Sequence, residues 1–246
     1  MILQKDKDPL GLAIADYAKN GSAGRLRVFS PQFEEDEIPV ETLFREYEAM
    51  PDIEQKALQT AHGHVLDVGA GAGCHALALQ DMGMEVTAID ISPLSVETMQ
   101  RRGVKNAVLC DLFDISRHNP GKTYDTVIML MNGIGIIGKI EKLHSFFAYM
   151  KQILAPGGQL LVDSSDIRYV FENEDGSLDI NLNTAYYGEM EYQIQYKHTK
   201  GEPFPWLYID FPLLSNIAEN NGFIADKILE GDHYDYLARI TLRTNS

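Results

Sequence analysis

The sequence predicts an α/β fold: a mostly parallel sheet with helices on both faces and one antiparallel edge. Three observations carry that expectation. From residue 64 onward, short apolar runs alternate with stretches of helical periodicity. The first run, "HVLDVGAGAGCHALAL", passes through a glycine-rich turn into a helix, which is how a nucleotide-binding crevice begins. The last two runs, "IADKILEG" and "YLARITL", are joined by a short loop around Asp232 and His233, so they pair as a hairpin.

The elements follow in order. Residues 1–38 are mixed and end in the acidic run Glu34–Glu37, read as a solvated loop. Val40, Leu43, Phe44 and Tyr47 recur at helical spacing, and Pro51 ends that helix. A second helix puts Ile53, Ala57, Leu58 and Ala61 on one face and stops at Gly63. Strand "HVLDVGA" leads to helix 73–82, closed by Gly83. Strand "EVTAIDI" leads to a helix opened by Ser92 and Pro93, a cap followed by a proline. Strand "AVLCDLF" comes next, and strand "YDTVIMLM" leads through Asn132 and Gly133 to helix 139–154. After "APGG" the strand "QLLVDSS" follows.

Near residue 166 the alternation fails. In "GEMEYQIQYKH", Met190, Tyr192, Ile194 and Tyr196 alternate with polar residues, the pattern of a half-buried antiparallel strand. A turn at Lys200 and Gly201 returns the chain through "PFPWLYI". Helix 211–221, with Gly222 as its C-cap, and the terminal hairpin then complete the chain. The domain organisation read from this is an N-terminal helical cap over 1–60 and a cofactor-binding domain over 61–246, with a lid insertion at about 166–209.

Composition bounds the function. The 246 residues carry 21 Lys+Arg against 36 Asp+Glu, a formal net charge of −15. So acidic a surface repels phosphate backbones, which argues against a nucleic-acid substrate. The pairs Arg25/Arg27 and Arg101/Arg102 read as solvated. Cys74 and Cys110 lie inside core elements without metal or redox spacing and read as buried thiols of a reducing compartment. The seven histidines are scattered and suggest no metal site. No stretch reaches membrane-spanning length, so the expectation is a soluble, cytoplasmic protein without membrane contact.

The glycine turn decides between ligands. A dinucleotide fold brings backbone N–H groups to a pyrophosphate. Asp67, two residues before the first glycine, would oppose that dianion, and Cys74 stands where the dinucleotide fingerprint needs a third glycine. A ligand with a cationic group and no phosphate fits better, and S-adenosylmethionine is one. Asp90, at the end of the second strand, can accept from two ribose hydroxyls. Asp111, at the end of the third, can accept from the adenine amine, and Ile91 and Leu112 can sandwich the ring. Any one of these acids could instead cap a helix.

The segments "VLDVGAGAGCHAL", "VTAIDIS", "VLCDLFD", "YDTVIMLMNGIGIIG" and "LAPGGQLLVDSSD" resemble successive motifs of the class I S-adenosylmethionine-dependent methyltransferases. The resemblance covers about 60–165, and 211–243 more loosely. It implies a Rossmann-like seven-stranded sheet with an antiparallel last strand. It also implies that Asp67, Gly69, Ala70, Gly71 and Gly73 hold the methionine part of the cofactor, Asp90 the ribose, and Asp111 with Leu112 the adenine. The motif after the fourth strand reads "MNGIG" and not the N-P-P-Y type of adenine-amine methylators.

Methyl transfer from a sulfonium needs chiefly in-line placement and exclusion of water. Asn132 is expected to face the reaction site and to position cofactor and acceptor, its alternative being a plain turn residue before Gly133. The acceptor, read as a small molecule, falls to Tyr17, Arg45 and Tyr47 in the N-terminal segment and to Tyr187 and Trp206 in the insertion, whose aromatics would serve equally as the core of a lid. Two rivals stay open: a nicotinamide-dependent oxidoreductase, and a non-catalytic cofactor-binding or interaction protein on the same fold. The pattern carries no signal for oligomeric state.

Overall fold

The computed structural model describes residues 1–173, 175, 177 and 185–243. In chain order the elements are α1 (Pro9–Asn20), β1 (Leu26–Phe29), β2 (Asp36–Glu37), α2 (Asp52–Thr60), β3 (His64–Val68), α3 (Cys74–Asp81), β4 (Glu85–Asp90), α4 (Pro93–Arg102), β5 (Ala107–Leu109), α5 (Ile115–His118), β6 (Tyr124–Met129), α6 (Leu143–Ile153), β7 (Leu154–Ser165), β8 (Glu189–Tyr196), β9 (Thr199–Lys200), β10 (Phe204–Leu207), α7 (Phe211–Asn220), β11 (Phe223–Glu230) and β12 (Asp235–Leu242).

The main sheet has seven strands in the order β11-β12-β7-β6-β3-β4-β5. β3 to β7 run parallel, and β12 is antiparallel to both of its neighbours. The class and the antiparallel edge are those the sequence predicts. Strands buried on both faces explain the near-continuous apolar runs. One face packs Leu66, Val68, Val127 and Val162 against Phe146, Phe147 and Met150 of α6 and Leu214 of α7. The other packs Val65, Ala88, Ile128 and Leu161 against α2, α3 and α4 through Ala57, Leu79 and Met99. Burial of this apolar surface stabilises by roughly 25 cal/mol per Å².

The N-terminal segment is not purely helical. β1 pairs antiparallel with β8 of the insertion, Leu26 opposite Tyr196 and Phe29 opposite Gln193. The result is a second sheet, β10-β8-β1-β2, with β9 extending beside β8. The acidic run is part of it: Asp36 and Glu37 form β2, and Glu35 and Glu37 pair with Arg27 and Arg25. The helix expected at 40–47 is two 3-10 turns, Val40–Phe44 and Tyr47–Ala49. Between Pro39 and Pro51 the chain must bend to lay Phe44 on Tyr17 and Tyr47 on α3, and packing overrides the spacing. The turn of the insertion sits at Lys197, with φ 52°, and not at Lys200–Gly201; the Gly201 N–H bonds back to Ile194 instead.

Candidate active site

The glycine turn between β3 and α3 needs its glycines for three separate reasons. Gly69, Gly71 and Gly73 all have positive φ, 71°, 56° and 85°. A Cβ on Gly69 would meet Ile136 Cδ1 at 2.8 Å, so Ile136 lies on the turn. One on Gly73 would meet Val104 at 2.9 Å and Met99 at 3.0 Å, which makes Gly73 a packing glycine between α3 and α4. At Gly71 only the Gly69 carbonyl lies as near as 4.0 Å, so this is the open face of the turn. Ala70 is buried, its N–H bonded to the Ile89 carbonyl.

Asp90 organises that face from the next strand. Its Oδ2 accepts the Gly71 N–H at 2.8 Å and its Oδ1 the Ser92 N–H at 2.8 Å. Burial pushes its pKa up to about 6 against the pull of those two bonds. The Ser92 hydroxyl caps α4 through Ser95 N–H and donates to the buried Asp8 carboxylate that caps α1. Ile91 is 38% exposed beside Asp90, and its carbonyl accepts from the Leu3 N–H at 2.9 Å.

Asp67 is 2% exposed, and its Oδ2 has no hydrogen-bond partner among the described residues. Burial raises its pKa to about 6, against the pull of His75 and the Ala76 N–H. On the same side of the sheet, His75 Nε2 lies 2.7 Å from Glu54 Oε2, and Glu54 Oε1 is ion-paired with Arg45. Burial disfavours the His75 imidazolium, but Cys74, Glu54 and Asp67 outweigh it and hold the ring protonated well above its ordinary range.

Other expected residues are placed differently. Asp111 caps the turn Leu112–Asp114 through the Phe113 N–H at 3.1 Å and pairs through Oδ2 with the Met1 ammonium. Leu112 is 4% exposed and packs in the core, whereas Ile91 is 38% exposed. Arg45 is ion-paired with Glu54. Tyr17 stacks on Phe44 inside the cap, ring centroids 4.5 Å apart, and the Tyr47 hydroxyl takes a hydrogen bond from Gln59 at 2.6 Å. Both are tied up in packing.

Asn132 stands at the carboxyl end of β6 in the left-handed region, φ 54°, directly after Met131 at φ 65°. Two such residues in succession mark backbone strain at a strand end. Its Oδ1 accepts from the Ser165 hydroxyl at 2.9 Å, and the next N–H, of Gly133, bonds Asp163 Oδ1 at 3.1 Å. The Tyr187 hydroxyl reaches Asp166 at 2.8 Å, and Tyr186 reaches Asp210 at 2.7 Å, where β7 ends. Trp206 lies over Gly135, where a Cβ would come within 2.2 Å of the indole. The second sheet is thereby docked through Trp206 onto the segment that follows Asn132, and through α1 onto α4. Sequence reasoning missed Asp8, Glu54, His75, Asp163 and Asp166; only His75, two residues past Gly73, carried a positional signal. Among the described residues no group of three His, Cys, Asp or Glu side chains is placed to hold a metal ion.

Comparison with known proteins agrees with this geometry. A family described as a methyltransferase domain matches residues 65–158. The demethylmenaquinone methyltransferase of Tropheryma whipplei is 30% identical over 104 residues, 42% of each chain. The ubiquinone biosynthesis O-methyltransferase of Rickettsia canadensis is 30% identical over 102 residues, 41% of this chain and 42% of that one. These matches therefore span less than half the length of the curated relatives. A solved S-adenosylmethionine-dependent methyltransferase from Bacteroides fragilis, in complex with S-adenosylhomocysteine, is 57% identical over 99% of this chain and 98% of its own, with a TM-score of 0.92.

Proposed function

Because the chain belongs to the S-adenosylmethionine-dependent methyltransferases, we propose that it methylates a small organic acceptor held between the glycine turn and the second sheet. The observation that carries the reading is Asp67: a buried carboxylate with one unpartnered oxygen, beside a turn whose open face is Gly71. An unmet buried acceptor is costly, and the ammonium of the cofactor's amino-acid end would satisfy it where a pyrophosphate would be repelled. The residues present thus fit this cofactor.

When bound, the cofactor supplies an activated methyl group on its sulfonium. The chain's own residues then have three tasks. Asp67 receives the ammonium, Asp90 uses its remaining lone pairs for the ribose hydroxyls, and Asp111 takes the adenine amine, with Ile91 against the ring. Ile136 and Trp206 close the side near Asn132, where the strained turn orients the Asn132 amide toward the acceptor. The second sheet excludes water. Support for a small acceptor is that this sheet joins both flanking segments over the carboxyl edge, together with the charge of −15. A covered, acidic crevice disfavours nucleic acid. We place the enzyme in the cytoplasm on its two buried free thiols, Cys74 and Cys110.

Calorimetry tests the reading. S-adenosylmethionine and S-adenosylhomocysteine should bind in the micromolar range and nicotinamide dinucleotides should not. Saturable dinucleotide binding with no response to S-adenosylmethionine would overturn it.

A further inference from the structure

Tyr169 and Tyr234 stack at the carboxyl end of β7, ring centroids 5.2 Å apart and planes 16° from parallel, yet they are 47% and 57% exposed. Tyr234 holds this place against its backbone preference. Its φ is 61°, in the left-handed region that a bulky side chain seldom adopts. The loop is tied down: the Tyr234 carbonyl accepts the Asp166 N–H at 2.9 Å, and Asp235 stands opposite Ser165 across β12 and β7. Ser165 in turn donates to Asn132, so the stacked rings stand at the strand ends that carry Asn132. Packing does not repay the strain, because both rings remain so far in solvent.

The second sheet supplies an opposite wall. β8 turns Met190, Tyr192, Ile194 and Tyr196 to one face. That face is covered at its ends, where Met190 is 2% and Tyr196 1% exposed, and only partly covered between them at Tyr192 and Ile194. The Tyr192 hydroxyl donates to the Tyr208 hydroxyl at 3.4 Å. Burial raises the Tyr192 phenol, and its bond to Tyr208 adds to that; burial also raises Tyr208, against the pull of the same bond. Tyr169 contributes to both shifts, which places it on the same space as the two phenols. Trp206 on Gly135 and Ile136 on Gly69 continue this space to the glycine turn.

Charge narrows what fits. Residues 169–196 contain six acids and neither Lys nor Arg. Arg168 is paired with Asp166 at 2.8 Å, Lys197 with Asp16, and Arg25 and Arg27 with Glu37 and Glu35. Lys200 stands opposite Gln195, on the other face of the second sheet. Among the described residues of this region every Lys and Arg is thus paired or turned away, and an anionic acceptor would meet like charge.

Resting on the methyltransferase reading, we infer that the acceptor carries an ammonium group, and that the Tyr169–Tyr234 pair receives it on a ring face with Tyr192 and Tyr208 as the opposite wall. The electron-rich face of a phenol ring attracts a cation, and more strongly once water is excluded. The acidic surroundings favour the same charge. The strained, exposed pair then has a task that packing alone does not give it.

The test uses the full chain loaded with S-adenosylhomocysteine and three probes of one shape: choline, the neutral alcohol with carbon in place of its nitrogen, and tert-butylacetate as the anion. In an NMR titration choline should bind about fivefold tighter than the alcohol, the range of a partly exposed cation–π contact, with the carboxylate weakest. Tyr169→Ala should abolish the preference, and Tyr169→Phe, which keeps the ring, should retain it. Neither should alter S-adenosylhomocysteine affinity, measured first and separately. Equal binding of choline and the alcohol by the parent chain overturns the inference, as does a preference that survives Tyr169→Ala combined with Tyr234→Ala. A preference lost in Tyr169→Phe assigns the effect to the hydroxyl and overturns the ring-face contact. Failure of the parent chain to bind S-adenosylhomocysteine would sink the cofactor reading itself, a result distinct from the others.

Discussion

The Asp8 carboxylate and the Ser92 hydroxyl meet in a buried hydrogen bond that joins the N-terminal ends of α1 and α4. Each also caps its own helix, Asp8 through Gly11 N–H at 2.8 Å and Ser92 through Ser95 N–H at 2.9 Å. Asp8→Ala removes a cap and strands a buried hydroxyl together. The expected loss is ~2–3 kcal/mol, read as a lower urea midpoint with unchanged slope. Gly11→Ala should do similar damage, because its Cβ would fall 2.1 Å from Asp8 Oδ2. A midpoint unchanged in both variants would refute the joint.

Asp90→Asn preserves shape but turns one acceptor oxygen into a donor, against either the Gly71 or the Ser92 N–H. Cofactor affinity should fall at least tenfold, since charge-assisted hydrogen bonds contribute ~1.5–3 kcal/mol each. Calorimetry against S-adenosylhomocysteine reads the affinity, and circular dichroism reads the fold. Full affinity would make Asp90 a cap for α4 and nothing more.

The three glycines should separate when each is changed to Ala. Gly73→Ala clashes with Val104 and Met99 and should lower Tm most, with folded protein still binding cofactor. Gly71→Ala meets open space, so its cost to stability is confined to the strained backbone, ~1 kcal/mol. Its cost to cofactor affinity should be the largest of the three. Melting and calorimetry on the same samples give the ranking; an order reversed for affinity would show that the open face is not where the ligand lies.

Stability and cofactor affinity should move in opposite directions with pH. Burial pushes Asp67, Asp90 and Asp163 up to about 6 from an ordinary 3.8. An acid with a raised folded-state pKa binds its proton more readily when folded, so it adds stability as pH falls from about 6 toward 4. Glu54 and Asp111 are shifted down and withdraw stability only below the usual carboxylate range. The ligand-free Tm should therefore rise between pH 7 and 5. Cofactor affinity should fall over the same interval as Asp67 and Asp90 protonate, while the charges of His75 and Glu54 persist. Affinity flat across that range would remove Asp67 from the ammonium site.

Trp206→Ala should loosen the second sheet from the main body. Hydrogen exchange should quicken in 133–138, while S-adenosylhomocysteine affinity changes less than threefold. Unchanged exchange there would show that Trp206 does not dock the lid. Replacing 182–208 wholesale by a linker is a poorer experiment, because β8 is an interior strand of that sheet and Met190, Tyr196 and Leu207 are core.

The main sheet and its glycine turn were legible because their signals are local. Strand, turn and helix lie within 64–81, and Asp90 follows its strand directly. The second sheet was not, because the β1–β8 register joins segments with no shared local pattern. The apolar face of Met190–Tyr196 announced that something must cover it, without saying that Leu26 of β1 extends that face and that Ala13 of α1 packs on it. The pairs Arg45–Glu54 and Glu54–His75 join three separate elements, and no spacing rule links the three.

The pairing of Gly24 with Tyr196, 172 positions apart, has a consequence for how the chain is made. During synthesis β1 leaves the ribosome long before β8 exists to receive it, and the whole parallel core is translated in between. Non-local pairing of this kind is slow, and an unpaired strand left exposed invites association with other chains. The alternating Arg25, Arg27, Glu35 and Glu37 on the β1–β2 hairpin supply the charge that discourages such contacts. β1 is thus made well before β8 and can pair with it only after the strands of the main sheet between them have been translated.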